Sequence, residues 1–513
     1  MKQVERHWPV ILALAVIKFL LPFILQSQVY ELHRDEYLYY EQGQHFALGY
    51  LENPPLLSWL GAISSWLGGS EFWIKFWPSL FGACTVVITC LLTAEFGGKA
   101  FAQFIAGIAI IGGAYMRMFF LFQPNPLEIF FWTLSVYFLV RFIKTTHRKF
   151  LFAFVISISL SWWSKYSVLF LAAAIFISLL LTAHRAIFLK KQTYGALLLG
   201  LVLILPNILW QYYHNWPLAH HMQELQETQL QYLSPLDFIK DQLLYLVPVV
   251  FIWIAGLIWL FKNKQWRFIF WIYLFIIIFL LAGRGKSYYS MGIYPSLLAA
   301  GAVAWENLTL KKIWLRYVVA SVIIFLIVLF IPMLLPVWEP KKLAAFYQEN
   351  KLEKIGLLKW EDQRNHPLPQ DFADMLGWNE IARQTAAVYQ QIPENEKSQT
   401  LIKGDNYGLC GALNYYGKKY GLPQVYGYNG SFLLWIPDTF NISNVITVGE
   451  DFPDTTRDIV KQFRGITIEG ELKDSMARQN GTRIILWKGA DPAILSKFIK
   501  QEIEENKAPF TRK

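Results

Sequence analysis

The chain has 513 residues, of which 55% are hydrophobic and 17% aromatic, with a formal net charge of +10. Soluble domains average roughly 45–50% apolar residues, so this excess points to lipid as the solvent. The positive charge argues for a membrane rather than a nucleic-acid partner, because Lys and Arg cluster in short loops between apolar runs, the positive-inside pattern.

Lys2 and Arg6 precede a first apolar segment at 8–26. No small-residue cleavage site follows it, so it reads as an uncleaved membrane helix rather than a signal peptide. Ten more apolar segments follow, at 73–95, 100–121, 126–143, 150–164, 166–183, 194–213, 242–261, 267–283, 288–306 and 314–336. A span needs about 20 residues, and the segments 150–164 and 166–183 are short for that. Cations flank both outer ends of this pair, Arg148 and Lys149 on one side and Arg185, Lys190 and Lys191 on the other. Both ends are therefore expected on the cytoplasmic side, with an outer turn near Ser164-Lys165-Tyr166. Lys18, midway along the first span, reads as snorkelling or paired rather than catalytic.

The expected fold class is a polytopic α-helical membrane protein with about 11 transmembrane helices and a C-terminal extracytoplasmic α/β domain. The membrane part runs over 1–337 and the soluble domain over 338–513. The N-terminus is expected in the cytoplasm and the tail outside, in the cytoplasmic (inner) membrane. Within the tail, helices are expected at 378–391, 407–420 and 492–505, and strands at 400–403, 445–448 and 483–487. That alternation suggests a small α/β layer. It carries no catalytic motif and reads as a docking or acceptor-gripping module. Two outer loops are long, 27–72 and 214–241, and the stretches 38–48 and 56–67 of the first look like amphipathic helices on the membrane surface.

Charges at the outer rim are few, so each is a candidate. Asp35-Glu36 follows the first span directly. The pair reads as a general base, or a metal or substrate ligand, or as an interfacial cap for the next helix. Glu52-Asn53-Pro54-Pro55 is a rigid turn before a helix, holding Glu52 and Asn53 either against a site or merely at a helix start. Glu128, in an otherwise apolar segment, is functional by default, with snorkelling to the interface as the alternative. Lys165-Tyr166 and Arg284-Gly285-Lys286-Ser287-Tyr288-Tyr289 offer cations beside hydroxyls, which suits a phosphate grip or an ordinary interfacial belt. His220 and His221 are adjacent, so no regular helix turns both to one metal; His221 with Asp35 or Glu52 is the Zn²⁺ set to consider, against a solvated loop. The 3 cysteines form no disulfide framework.

In order and placement, these motifs resemble the bacterial GT-C membrane glycosyltransferases: the ArnT-like aminoarabinose transferases, the protein O-mannosyltransferases and the Rgt-like lipopolysaccharide transferases. The resemblance rests on Asp35-Glu36 with Tyr37, Tyr39 and Tyr40, then Tyr50-Leu51-Glu52-Asn53-Pro54-Pro55-Leu56. It continues through Phe122-Gln123-Pro124 with Glu128 and Phe131-Trp132, Ser164-Lys165-Tyr166-Ser167, and Gly285-Lys286-Ser287-Tyr288-Tyr289 with Tyr294-Pro295. It implies an inverting transfer of a sugar from a polyprenyl-phosphate donor to a glycolipid, polysaccharide or protein acceptor at the outer leaflet. It also implies Asp35 at the reaction centre and as base where the acceptor is a hydroxyl, Glu36 as its paired acid, and Glu52 as a site-forming acid. Glu128 matches a family Asp near the acceptor, and Lys286 with a neighbouring tyrosine matches the donor-phosphate grip. Tyr39, Asn53, Lys165, Arg284, Tyr288 and Tyr289 complete the expected binding set. No cofactor is required by the motifs; a divalent metal (Zn, Mg or Mn) stays open, since relatives differ. Two departures stand out. Asn53 replaces a Lys or His, so Lys165, Arg284 or Lys286 must meet more of the phosphate charge, or the donor differs. Glu128 is one methylene longer than Asp. The competing reading is a transporter or lipid flippase, which calls for charges along the midplane of several spans; a non-catalytic scaffold is the third.

Overall fold

The computed structural model describes residues 4–228, 230–437, 439–451 and 458–512; Lys2 lies outside them. All eleven apolar segments are helical. Among the described residues, five helices are by themselves long and apolar enough to cross a membrane: Trp8–Leu25, Glu71–Glu95, Pro124–Thr145, Lys191–Tyr213 and Trp314–Leu334. Two bent pairs raise this to seven, Val168–Leu180 with Ala183–Leu189 at 108° and Pro235–Tyr245 with Val247–Lys262 at 64°. The other four expected passes rest on helices of 12 to 17 residues, Ala100–Ile111, Arg148–Ser164, Arg267–Ala282 and Tyr294–Leu308.

Breaks in these helices build the site. The segment expected as one span at 100–121 is interrupted at Gly112-Gly113, where Gly113 adopts φ 60° and a Cβ would lie 2.8 Å from the Tyr245 carbonyl oxygen. Carbonyls freed by a break need new donors. Lys18 supplies them, its Nζ donating to the Ile111 carbonyl at 3.3 Å and to the Tyr115 carbonyl at 2.9 Å. The short helix Ala114–Met118 and the turn after it then carry Arg117 and Phe122-Gln123 towards the tail. The outer turn expected near Lys165 is found between Arg148–Ser164 and Val168–Leu180. The loop expected at 214–241 contains the helix Pro217–Thr228 and the start of Pro235–Tyr245 instead of a solvated coil, because each opens on a proline at its first position.

The first outer loop holds two helices, Arg34–Gln42 and Leu56–Trp66. The former starts four residues before the expected 38 and ends six before 48, because His33 and Glu36 form a capping box at its start. Rather than lying on the membrane surface, it packs under the tail: the Tyr37 ring sits 5.7 Å from Trp378 and 5.9 Å from Tyr416.

The tail carries a five-stranded mixed sheet of β1 (Thr400–Gly404), β2 (Val425–Tyr426), β3 (Asn444–Gly449), β4 (Gly465–Glu471) and β5 (Arg483–Lys488), in the order β2-β1-β3-β5-β4. β1 pairs in parallel with β2 and β3, while β5 is antiparallel to β3 and β4. The edge strands β2 and β4 were not legible in the sequence: β2 has two residues, and β4 is largely exposed, so neither shows apolar alternation. The helices Trp378–Gln390 and Tyr407–Gly417 pack together beside the sheet, and Pro492–Lys507 buries Leu495, Ile499 and Ile503 in a second apolar cluster with Leu433 and Val445. The first cluster runs unbroken from the membrane helices through Tyr37 to Leu409 and Ile402 of the tail.

The helix Glu71–Glu95 joins two charge environments about 36 Å apart at 1.5 Å per residue. At its start Glu71 accepts from the Tyr416 hydroxyl of the tail at 3.1 Å. At its end Glu95 meets Arg6, Arg141 and Lys144 at 3.8, 3.0 and 2.8 Å. Arg6 and the tail therefore sit at opposite ends of a membrane-long helix.

Candidate active site

A cavity of about 1120 Å³ opens where the first loop, the helix breaks and the tail meet. Asp35, Tyr39, Glu52 and Asn53 line it from the first loop. Lys165 reaches it from the turn after Arg148–Ser164, and Lys286, Tyr288 and Tyr289 from the turn before Tyr294–Leu308.

Asp35 is the second residue of its helix and is partly exposed to the cavity, its side chain 27% accessible. Each carboxylate oxygen has one donor: Oδ1 accepts from the Tyr407 hydroxyl at 2.8 Å and Oδ2 from Gln123 Nε2 at 2.9 Å. Lone pairs remain on both oxygens for an incoming proton. Glu36 turns the other way. It is fully buried and absent from the cavity wall, and accepts from the His33 amide at 2.7 Å, the Phe122 amide at 2.6 Å and Lys75 Nζ at 2.7 Å. Adjacent helical residues cannot face the same way. Glu36, expected as the paired acid of Asp35, ties three chain segments together behind Asp35.

Glu52 accepts from the Ser431 amide at 2.7 Å and hydroxyl at 2.5 Å and from Gln42 Nε2 at 3.0 Å. Burial raises its carboxyl above the ordinary range, and the Ser431 bonds oppose that shift. The approach needs Gly430, whose φ is 60° and where a Cβ would lie 2.0 Å from Glu52 Oε1. Asn53 is buried, its Oδ1 accepting from Gln42 at 3.0 Å and its Nδ2 donating to the Pro54 carbonyl at 2.7 Å.

Lys165 donates to Asn125 Oδ1 and Glu128 Oε2, both at 2.8 Å, and its ammonium lies 4.2 Å from the Tyr289 ring centre. Burial lowers this ammonium from its ordinary value, and Glu128 works against the shift. Glu128 is 2% exposed, also accepts from the Ser167 hydroxyl, and does not line the cavity. Expected as a catalytic residue, Glu128 here holds Lys165. Lys286 is also lowered by burial, with Glu361 opposing and Lys165 reinforcing that shift. Arg284, expected in the binding set, is exposed at φ 50°, reaches the Gln231 carbonyl at 3.4 Å, and leaves the wall to Gly283, Gly285 and Lys286.

His221 lines the cavity from the helix Pro217–Thr228, and burial lowers its imidazolium, Glu224 opposing. Asp35, Glu52 and His221, the expected metal set, all line the cavity, but among the described residues no group of three or more His, Cys, Asp or Glu is placed to hold a metal ion.

The sequence does not single out Tyr407 and Ser431, both contributed by the tail; the Tyr407 ring centre lies 4.7 Å from the Arg34 guanidinium. Arg117 is ion-paired with Asp371 of the tail at the cavity wall. No local signal marks Tyr407 or Ser431, since their partners lie 372 and 379 residues away.

Fold and site together define a multi-pass membrane protein with the GT-C fold of membrane glycosyltransferases. ArnT from Cupriavidus metallidurans, solved bound to undecaprenyl phosphate, superposes with a TM-score of 0.59 at 13% identity, over 94% of this chain and 98% of that one. An oligosaccharyltransferase from Archaeoglobus fulgidus, tethered with an acceptor peptide, gives 0.51 at 12% identity over 86% of this chain and 69% of that one. Residues 52–210 match the family described as dolichyl-phosphate-mannose-protein mannosyltransferase. The lipid A galacturonosyltransferase RgtD of Rhizobium johnstonii is 25% identical over 226 residues, 42% of this chain and 47% of that protein. The match thus spans about half the length of that relative.

Proposed function

We propose that the chain transfers a sugar, with inversion, from a polyprenyl-phosphate donor to a glycolipid, polysaccharide or protein acceptor at the outer face of the inner membrane. The observation that carries this is the convergence of Asp35, Lys165 and Lys286 on one cavity at the membrane-tail junction. Asp35 takes the proton as the acceptor oxygen attacks the anomeric carbon, a role worth roughly 10²–10⁴-fold. The bond from that carbon to the phosphate oxygen breaks, and the carrier leaves as polyprenyl phosphate. Lys165 and Lys286 meet the charge that grows on the leaving oxygen, with Tyr288 and Tyr289 shaping the pocket around Lys165. Lys165 and Lys286 thereby take on the work that Asn53, uncharged, leaves undone. Glu52 and Asn53 hold the loop that shapes the sugar pocket. No step is routed through a metal.

The N-terminus lies in the cytoplasm, where Arg6, Arg141 and Lys144 gather on Glu95. The membrane domain covers 1–337, and the domain at 338–513 lies outside. Purified protein in proteoliposomes, supplied with a panel of polyprenyl-phosphate sugars and envelope glycolipid, tests the reading by mass spectrometry of the product. Full transfer by both Asp35→Asn and Lys286→Ala sinks the site assignment. Flux across sealed vesicles with no glycosidic product sinks the transferase reading in favour of a transporter.

A further inference from the structure

The tail holds almost every acid of the first outer loop. Glu31 accepts from the Trp378 amide at 2.7 Å, Glu41 from Asn414 and Gln424 at 3.0 and 2.8 Å, Glu52 from Ser431, and Glu71 from Tyr416. Asp35 belongs to the same set through Tyr407. A module used only to dock acceptor has no need to reach the residue at the reaction centre.

Resting on the transferase reading, we propose that Tyr407 is a positioning residue for the base Asp35, so that the tail completes the active site. The direction of each hydrogen bond follows from chemistry. Arg34 has donors only, and its Nε lies 3.0 Å from the Tyr407 oxygen, so that oxygen accepts from Arg34. The single phenolic proton is then free for Asp35 Oδ1, 2.8 Å away. Burial holds the Tyr407 hydroxyl well above its ordinary value, so it remains a donor at neutral pH. Gln123 fixes the other oxygen, and the carboxylate plane is set from two sides.

Tyr407 is itself held tightly. It opens the helix Tyr407–Gly417, capped by Asn406, whose side chain accepts from the Leu409 amide at 3.0 Å. That helix lies so close to Arg34–Gln42 that a Cβ on Gly408 would sit 2.4 Å from Arg34 Cγ, and one on Gly411 2.7 Å from Tyr37 Cβ. Small residues at both positions set the spacing at which the phenol meets the carboxylate.

The test is steady-state transfer by Tyr407→Phe, which keeps the ring and removes the hydroxyl. The expected result is a fall in kcat of about 10- to 100-fold, the scale of a misplaced catalytic group, with KM for donor and acceptor within about twofold. Tyr415→Phe is the control. It deletes a tail hydroxyl that donates to the Gly69 carbonyl at 3.0 Å, away from the cavity, and is expected to keep wild-type kcat. Limited proteolysis of both variants reports whether the tail stays seated. Arg34→Met gives a second route: its loss and that of Tyr407→Phe are expected not to add, because both act through one hydroxyl. Wild-type kcat in Tyr407→Phe overturns the proposal, as does a fall that comes with tail release and raised KM values. An inactive wild-type protein overturns the transferase reading instead, and the role of Tyr407 with it.

Discussion

Replacing Glu36 by Ala is expected to destabilise the protein rather than remove a reacting group. Glu36 is fully buried, and Lys75, 2.7 Å away, has a side chain only 7% exposed. Removing one partner of a buried ion pair costs about 3–5 kcal/mol, because the other charge is left without compensation. The His33 and Phe122 amides, which donate to Glu36 at 2.7 and 2.6 Å, lose their acceptor as well, at about 1 kcal/mol or more each. The sum is roughly 5–7 kcal/mol. With an unfolding entropy of about 2.1 cal/mol/K per residue, 513 residues unfolding together give about 1 kcal/mol/K, so the melting temperature falls by about 5–7 °C. Thermal unfolding in detergent, followed by intrinsic fluorescence, measures this. The double variant Glu36→Ala/Lys75→Met is expected to recover more than half of the loss, since it removes the stranded charge. An unchanged melting temperature for Glu36→Ala, with kcat down 100-fold in the folded protein, refutes the reasoning and returns Glu36 to the chemistry.

Lys165→Met is expected to lower kcat about 100-fold or more, as loss of a group facing growing charge does. Glu128→Gln, which keeps a hydrogen-bond acceptor for Lys165, is expected to cost about tenfold or less; a larger loss for Glu128 than for Lys165 in transfer assays reverses their assigned order. Stability is expected to decline as pH rises from 4.5 to 7, because burial pushes the Glu31 carboxyl from 4.5 up to about 7. The raised value means that the folded protein binds the proton more tightly than the unfolded chain, so its contribution is complete below pH 4.5 and lost as pH passes 7. Glu31→Gln should flatten that part of the melting-temperature profile, and a profile identical to wild type counts against it. Gly430→Ala is expected to separate Glu52 from Ser431, because the added Cβ would lie 2.0 Å from Oε1 at a residue with φ 60°. Increased trypsin cleavage of the tail, with reduced transfer, is the readout; wild-type behaviour in both rules the contact out as a support of the site.

Much of the candidate site was legible because its residues carry costly chemistry in apolar surroundings. Asp35, Lys165 and Lys286 stand out as charges at the ends of apolar segments, and all three face the cavity. Glu36 and Glu128 stand out by the same signal and yet face away, each bound to a lysine. A carboxylate that serves a reaction and one that neutralises a neighbour look alike until the neighbour is placed. Arg284 lies off the wall for a local reason, a left-handed turn that its sequence does not announce. Tyr407 and Ser431 were invisible, being ordinary polar residues in a domain without a motif.

By itself the sequence determined the helical segments, the one-sided cations and the order of the outer-rim motifs, because hydropathy and charge act over about 20 residues and lipid enforces them locally. It also determined most of the tail's helices and inner strands, whose apolar periodicity is local too. Only the tertiary structure decided which acids face the cavity and which hold a lysine. It alone brought Tyr407 within 2.8 Å of Asp35 across 372 residues of chain. Those outcomes depend on where a helix breaks, on the close approach that Gly408 and Gly411 allow, and on which buried charge finds which partner. Such contacts are long-range, and no window along the chain contains both sides of them.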